Sequence, residues 1–144
     1  MSILSHHDEF EDLYRTNRIL YSSLIPLNPK TKKNNQRIIK NPRTGALMII
    51  QNDRYKQFEK DAGWFLKRPA SPISEPINIR CLFYRDSRRR VDLTNLLEAI
   101  DDILVKYKII ADDNFEIIRG HDGSRVFVDK DNPRVEIEIT TLTE

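Results

Sequence analysis

The chain has 144 residues, with 24 Lys and Arg against 22 Asp and Glu and a net charge of +2, so bulk charge alone does not mark it for a polyanion or a membrane surface. That length suits a single domain, 1–144, with a real hydrophobic core and is short for two. The lone Cys81 excludes an internal disulfide, four glycines exclude a Gly-rich phosphate loop, and neither an eighteen-residue apolar run nor a basic-then-apolar leader is present; a soluble, cytoplasmic protein is expected.

In chain order, residues 1–20 open acidic and then become mixed, and they read equally as a helix or as an N-terminal arm. "PLNPKTKKNNQ" is a loop, and "RIIKNPRTGALMII" reads as two short strands joined at "NPRTG". "NDRYKQFEKDAGWFLKRP" has helical spacing, with Asn52 placed to cap it, Gly63 weakening its second half and Pro69 stopping it. "EPINIRCLFYRD" alternates Ile77, Ile79, Cys81 and Phe83 against Asn78, Arg80, Leu82 and Tyr84, the period of a central sheet strand, and makes Cys81 a buried, inert thiol. Leu93, Leu96, Leu97, Ile100, Leu104 and Tyr107 then repeat at helical spacing behind Asp92, which stands where an N-cap belongs. A strand from Phe115, a turn at "HDGS" and an alternating strand through Val135, Ile137 and Ile139 complete the order β-β-α-β-α-β-β. The expected fold is a two-layer α+β domain, a mixed β-sheet packed against two main helices.

Charge is informative by location. Lys30 to Arg43 holds six basic residues and no acid, and Arg80 to Arg90 holds five arginines against Asp86. Between Glu98 and Glu116 six acids face only Lys106 and Lys108. Basic blocks around an acidic centre are what a metal-dependent enzyme acting on a polyanion needs, since phosphates must be attracted while the metal needs carboxylates. Each acid also has a plain structural explanation: Asp92 as an N-cap, Asp112 and Asp113 as a turn, Glu98, Asp101 and Asp102 as a solvated helix face. Zinc is disfavoured, because His6 and His7 are adjacent and His121 lies in a predicted turn without a Cys partner. No "GxSxG" elbow is present.

"RRRVDLTNLLEAIDDILVKYKIIADDN" resembles the RusA family of Holliday junction resolvases, whose signature is an Arg-rich stretch, Asp-Leu-Asp-Asn, a helix, and an Asp-Asp pair about twenty residues on. Asp92, Leu93 and Asn95 match the first element, and Asp112 and Asp113 match the second at spacings of 20 and 21. The resemblance, looser outside this stretch, covers most of residues 24 to 140. It implies a homodimeric endonuclease, bacterial and often phage-encoded, that hydrolyses phosphodiesters of branched DNA with magnesium or manganese in recombination and repair. It implies catalytic and metal-binding roles for Asp92, Asp113 and Asp112. Arg88, Arg89, Arg90, Lys32, Lys33 and Arg37 are then the residues to grip phosphates. The sequence departs from the pattern twice: Thr94 stands where the family has its second aspartate, and Glu98 where a lysine is common. Residues 94 and 98 lie one turn apart on one helix face, so Glu98 is a candidate replacement metal ligand. Two rivals stand beside this reading: a non-catalytic branched-DNA-binding or recombination-accessory protein that has lost the full acid set, and a nuclease preferring flaps or other branches.

Distance adds a constraint. A straight helix over 94 to 108 separates its ends by about 22 Å, and Lys108 to Asp112 spans at most about 14 Å. Asp92 and Asp113 therefore meet only if the helix ends early or bends, or if an antiparallel two-fold partner supplies the second aspartate.

Overall fold

The computed structural model describes residues 17–32, 36–51 and 53–142; Lys33, Asn52 and residues 1–16, on which some of the expectations fall, lie outside them. Seven strands, two helices and one 3-10 turn are described: β1 (Ile19–Ile25), β2 (Gln36–Lys40), β3 (Leu47–Gln51), α1 (Asp53–Ala62) running into the 3-10 turn Gly63–Phe65, β4 (Ile77–Arg85), α2 (Leu93–Lys106), β5 (Ile118–Gly120), β6 (Arg125–Val128) and β7 (Arg134–Thr141).

β4 is the central strand, as its alternation predicted. Ile77, Ile79, Cys81 and Phe83 are all fully buried, and so are Val135 and Ile139 of β7, which pairs antiparallel with β4 along eight residues. On its other edge β4 pairs in parallel with two short strands in succession, β5 at Ile77–Asn78 and β6 at Leu82–Arg85. Between them the "HDGS" turn fills the gap in the ladder. Gly123 takes φ +84, the Asp122 N–H donates to Asn78 Oδ1 (2.7 Å), and the Cys81 N–H donates to Ser124 Oγ (3.0 Å). The resulting five-stranded sheet is mixed, and α1 and α2 share a core with one of its faces through Tyr55, Phe58, Ala62, Leu96, Ile100, Ile103 and Leu104. Burial, then the charge of Asp101, push the Cys81 thiol far above its usual pKa, which leaves it inert.

β2 and β3 form a separate antiparallel hairpin, closed where "NPRTG" predicted it by Gly45 N–H to the Asn41 carbonyl (2.8 Å). Two local readings are corrected. Residues 19–25 form β1, paired antiparallel with β7, so that part of the opening segment is neither helix nor arm. The strand expected from Phe115 begins only at Ile118, because Asn114 first builds a turn: its carbonyl accepts from Ile117 and Ile118, and its side chain accepts from the Glu116 N–H (2.9 Å).

Gly63, expected to weaken the second half of this helix, is where α1 gives way to the 3-10 turn, and it admits a neighbour. The Tyr107 ring packs so closely that an added Cβ would lie 2.5 Å from it, and the Tyr107 hydroxyl donates to the Glu59 carbonyl (2.8 Å). Gly63→Ala should therefore cost about 1–3 kcal/mol of stability by forcing the ring away, readable as a lower denaturant midpoint with an unchanged m-value.

α2 ends at Lys106 with Tyr107, the last residue of its apolar pattern, as C-cap, two residues short of the straight 94–108 helix considered above. The Lys108 N–H donates to the Val105 carbonyl (3.0 Å) and the Ile109 N–H to the Leu104 carbonyl (2.9 Å), a Schellman reversal with Lys108 left-handed at φ 61. Glycine is the usual residue there. Lys108→Gly should stabilise the chain by about 1 kcal/mol, seen as a higher Tm. The reversal sends Ile109–Ala111 back beside Ile73, held by Ile73 N–H to the Ile109 carbonyl and Ala111 N–H to the Ile73 carbonyl, both 2.9 Å.

Candidate active site

Asp92 is the residue before α2, with extended backbone (φ −93, ψ 132), and its carbonyl accepts the Asn95 and Leu96 N–H groups (3.1 and 3.2 Å). Backbone geometry makes it the N-cap. The carboxylate, however, makes no capping hydrogen bond and meets only the Asn95 side-chain amide at 3.5 Å. Capping thus explains the position of Asp92 but leaves its charge uncommitted at the positive end of a helix.

Asp112 and Asp113 divide differently. Asp112 accepts the Asp113 N–H (2.8 Å) on one oxygen and the Asn114 amide (3.0 Å) on the other. These bonds, the backbone one foremost, hold its pKa below the ordinary value, so Asp112 is an anionic turn former. In Asp113, modest burial, the neighbouring Asp112 and the charge of Asp102 hold the carboxyl above the usual range. Asp113 in turn raises Asp101. The chain reversal therefore returns Asp113 to the field of Asp101 and Asp102, which lie nine and ten residues along the helix from Asp92, or about 14 Å at 1.5 Å per residue.

Asp101, read from the sequence as part of a solvated helix face, is buried. It occupies the buried face of α2, and both its oxygens contact His121 Nε2, at 3.0 and 2.9 Å. Burial raises its pKa, and the hydrogen bond and charge of His121 act against that rise. A mid-helix acid followed by a second acid looks like solvated surface, and His121 lies twenty residues on in a turn, so the signal was topological. The next residue, Asp102, pairs with Lys32 Nζ at 2.6 Å. Lys32 also lies over the Tyr55 ring (5.7 Å) and lines a small recess with Asn95, Glu98 and Ala99. Lys32, expected as a phosphate contact, lies against the acidic face of α2. Glu98 and Thr94 are both exposed, one turn apart.

The other predicted cations split. Arg89 and Arg90 line a cavity of about 720 Å³ that has Asp92 in its wall. Lys30, Arg54 and Arg85 line the same cavity, none of them singled out from the sequence. Arg88 is exposed outside it. Arg37 sits in β2 opposite Ile50.

Among the described residues no three His, Cys, Asp or Glu side chains converge to hold a metal ion. The donor set itself suits a hard divalent cation, because magnesium needs only one or two carboxylates with water and phosphate oxygens completing its shell. One chain thus offers Asp92 in the wall of a cationic cavity and Asp113 in the field of Asp101 and Asp102. Cations next to an uncommitted carboxylate suit the processing of a phosphodiester.

The family comparison agrees. The model for the family "Endodeoxyribonuclease RusA" matches residues 26–140, and the chain belongs to that family of DNA-cleaving hydrolases that act on branched DNA. A search of the curated proteins found no match. No helix among the described residues is long and apolar enough to cross a membrane.

Proposed function

We propose that this chain is a magnesium-dependent, structure-specific endonuclease that resolves Holliday junctions in recombination and repair, manganese being able to substitute. The uncapped Asp92 carboxylate, standing in the wall of the cationic cavity, is the observation that carries this reading. Asp92 and Asp113, with Asp112 and Glu98 in supporting places, would hold the metal, which when bound lowers the pKa of water and neutralises charge on the phosphate. Arg89 and Arg90 hold the DNA backbone beside it, and Arg88 extends the contact outside the cavity.

The 14-residue length of α2 between Asp92 and Asp113 favours a homodimer with composite sites. In an antiparallel pair, Asp113 of one copy completes the site begun by Asp92 of the other, and two such sites suit a substrate with approximate two-fold symmetry. Incubating the chain with a synthetic four-way junction should give symmetric nicks with magnesium and none with chelator, while flap and linear duplexes are cut far less. That no three acids converge among the described residues favours one rival, a non-catalytic junction-binding protein; tight junction binding with no nicking in either metal would establish it. Equal cutting of flaps would instead assign a broader branch nuclease.

A further inference from the structure

We infer that the outer edge of β6 is the surface on which a second copy of this chain docks, strand to strand about a two-fold axis through Phe127. β6 pairs with β4 on one side, and on the other no strand among the described residues pairs with it. Its backbone is set for a partner there. The Asp129 N–H donates to the Arg85 carbonyl (2.8 Å), and residues two apart along a strand point the same way, so Phe127 also turns its backbone polar groups to β4. Val126 and Val128 therefore turn their N–H and C=O groups outward. Phe127 and Val128 are 40% and 45% exposed at this edge, and an apolar edge of this kind is a template for pairing with another chain.

The residues of the edge identify its occupant. The segment Arg125, Val126, Phe127, Val128, Asp129 is self-complementary when laid against itself in the opposite direction. Arg125 then meets Asp129 of the partner subunit, Val126 meets the partner's Val128, and Phe127 meets the partner's Phe127. This register also satisfies the backbone: Val126 and the partner's Val128 exchange both hydrogen bonds, twice over by symmetry, and Phe127 falls at the close position where opposed side chains touch. Val126 packs against the core, so its neighbour Phe127 lies on the sheet's other face, where it stacks on Tyr84 (5.0 Å between ring centres) with the Arg134 guanidinium over the same Tyr84 ring (3.7 Å). Two opposed Phe127 rings extend that row across the axis. Asp129 already accepts from Arg134 Nη1 (2.9 Å) and the Asn132 N–H (3.2 Å), but a carboxylate accepts further bonds, and its exposed pairing with Arg125 fixes register more than it adds affinity. A slip of one residue loses every one of these matches.

The consequence for the site rests on the composite-site reading above; the edge itself does not. A two-fold axis normal to the sheet makes one continuous sheet with the helices of both copies on one face, and sets the two β4 strands three strand spacings, about 14 Å, apart. β6 lies along the Leu82–Arg85 end of β4, which leads to Asp92, while β5, which follows Asp113 closely, lies along the Ile77 end. Reversing the partner therefore brings the partner's Asp113 to the end of the sheet that holds Asp92.

Disulfide trapping of the full chain tests this. Phe127→Cys places two thiols across the axis at a Cα separation of about 4.5–5.5 Å, within disulfide range, so removal of reductant should convert most of the chain to a covalent dimer on non-reducing electrophoresis. Arg125→Cys, whose two copies stand about 13 Å apart along the ladder, should stay unlinked; the native Cys81 is buried and gives no background. Equilibrium sedimentation supplies a second arm. Arg125→Asp and Asp129→Arg each set like charges opposite one another and should each raise the dimer dissociation constant about 10-fold, whereas an equimolar mixture of the two restores both pairs and should return to the parent's value. Equal cross-linking from positions 125 and 127, charge variants that dimerise as the parent, a mixture no tighter than its components, or a parent that is monomeric at every concentration would each overturn the inference. A dimer linked through position 127 that nicks no junction removes the nuclease reading and leaves the edge standing, whereas a nicking parent whose Phe127→Cys variant stays unlinked removes the edge alone.

Discussion

Asp92→Asn is expected to lower junction nicking by on the order of 10³-fold while leaving the fold nearly as stable as the parent. The two readouts separate two roles that usually coincide at a helix N-cap. If the carboxylate capped α2, its loss would cost about 1 kcal/mol. It makes no capping hydrogen bond, and asparagine is itself a good cap, so the melting temperature should barely move. The activity loss follows from metal binding, since several kcal/mol of transition-state stabilisation at 1.36 kcal/mol per decade is a factor of about a thousand. A stable variant that nicks normally would remove Asp92 from the mechanism.

The second large effect concerns the pair at the buried face of α2. His121→Ala should destabilise the chain by about 2–3 kcal/mol at neutral pH, below the full cost of breaking a buried pair because both partners keep some solvent contact. Its pH dependence is diagnostic. Burial already raises the folded-state pKa of Asp101, and His121 is the group that lowers it; removing the histidine raises it further. A carboxyl whose folded pKa exceeds its unfolded value favours folding fully below the unfolded value, about 3.9, and that contribution is lost as pH rises through the folded pKa. The deficit of His121→Ala relative to the parent should therefore be smallest near pH 4 and grow as pH rises through the folded-state pKa of Asp101. Urea titrations at a series of pH values read this directly, and a constant deficit would show that the pair contributes packing alone. Asp101→Asn on the His121→Ala background should recover much of the loss at neutral pH, since it removes the buried charge.

Periodicity made the strands and helices with one consistent buried face legible. Ile77, Ile79, Cys81 and Phe83 could only be a core strand, and Leu96, Ile100 and Leu104 only a helix packed on it. β1 was harder because it pairs with β7 alone and leaves Ile19 and Leu24 exposed, which blurs its alternation. The end of α2 was misjudged because lysine occupies the left-handed position where glycine is the sequence signal. For the candidate site, Asp92 and Asp113 were named from the RusA-like motif. Asp101 with His121, Lys32 with Asp102, and the meeting of Lys30, Arg54 and Arg85 were not, since these residues are twenty or more positions apart and only the fold brings them together. Arg89 and Arg90 of the Arg-rich stretch share their cavity with Lys30, from the loop after β1 at the same end of the sheet, and with Arg54 of α1.

The central claim is that Asp92 and Asp113 act together from two copies of the chain. Its most direct test is nicking of a labelled four-way junction by a mixture of Asp92→Asn and Asp113→Asn chains, co-refolded so that subunits exchange. Composite sites leave one intact site in every mixed dimer and none in either parent dimer, so random mixing predicts about a quarter of the parent's nicking from two inactive preparations, always on one strand at a time. A mixture that stays as inactive as its components would contradict it.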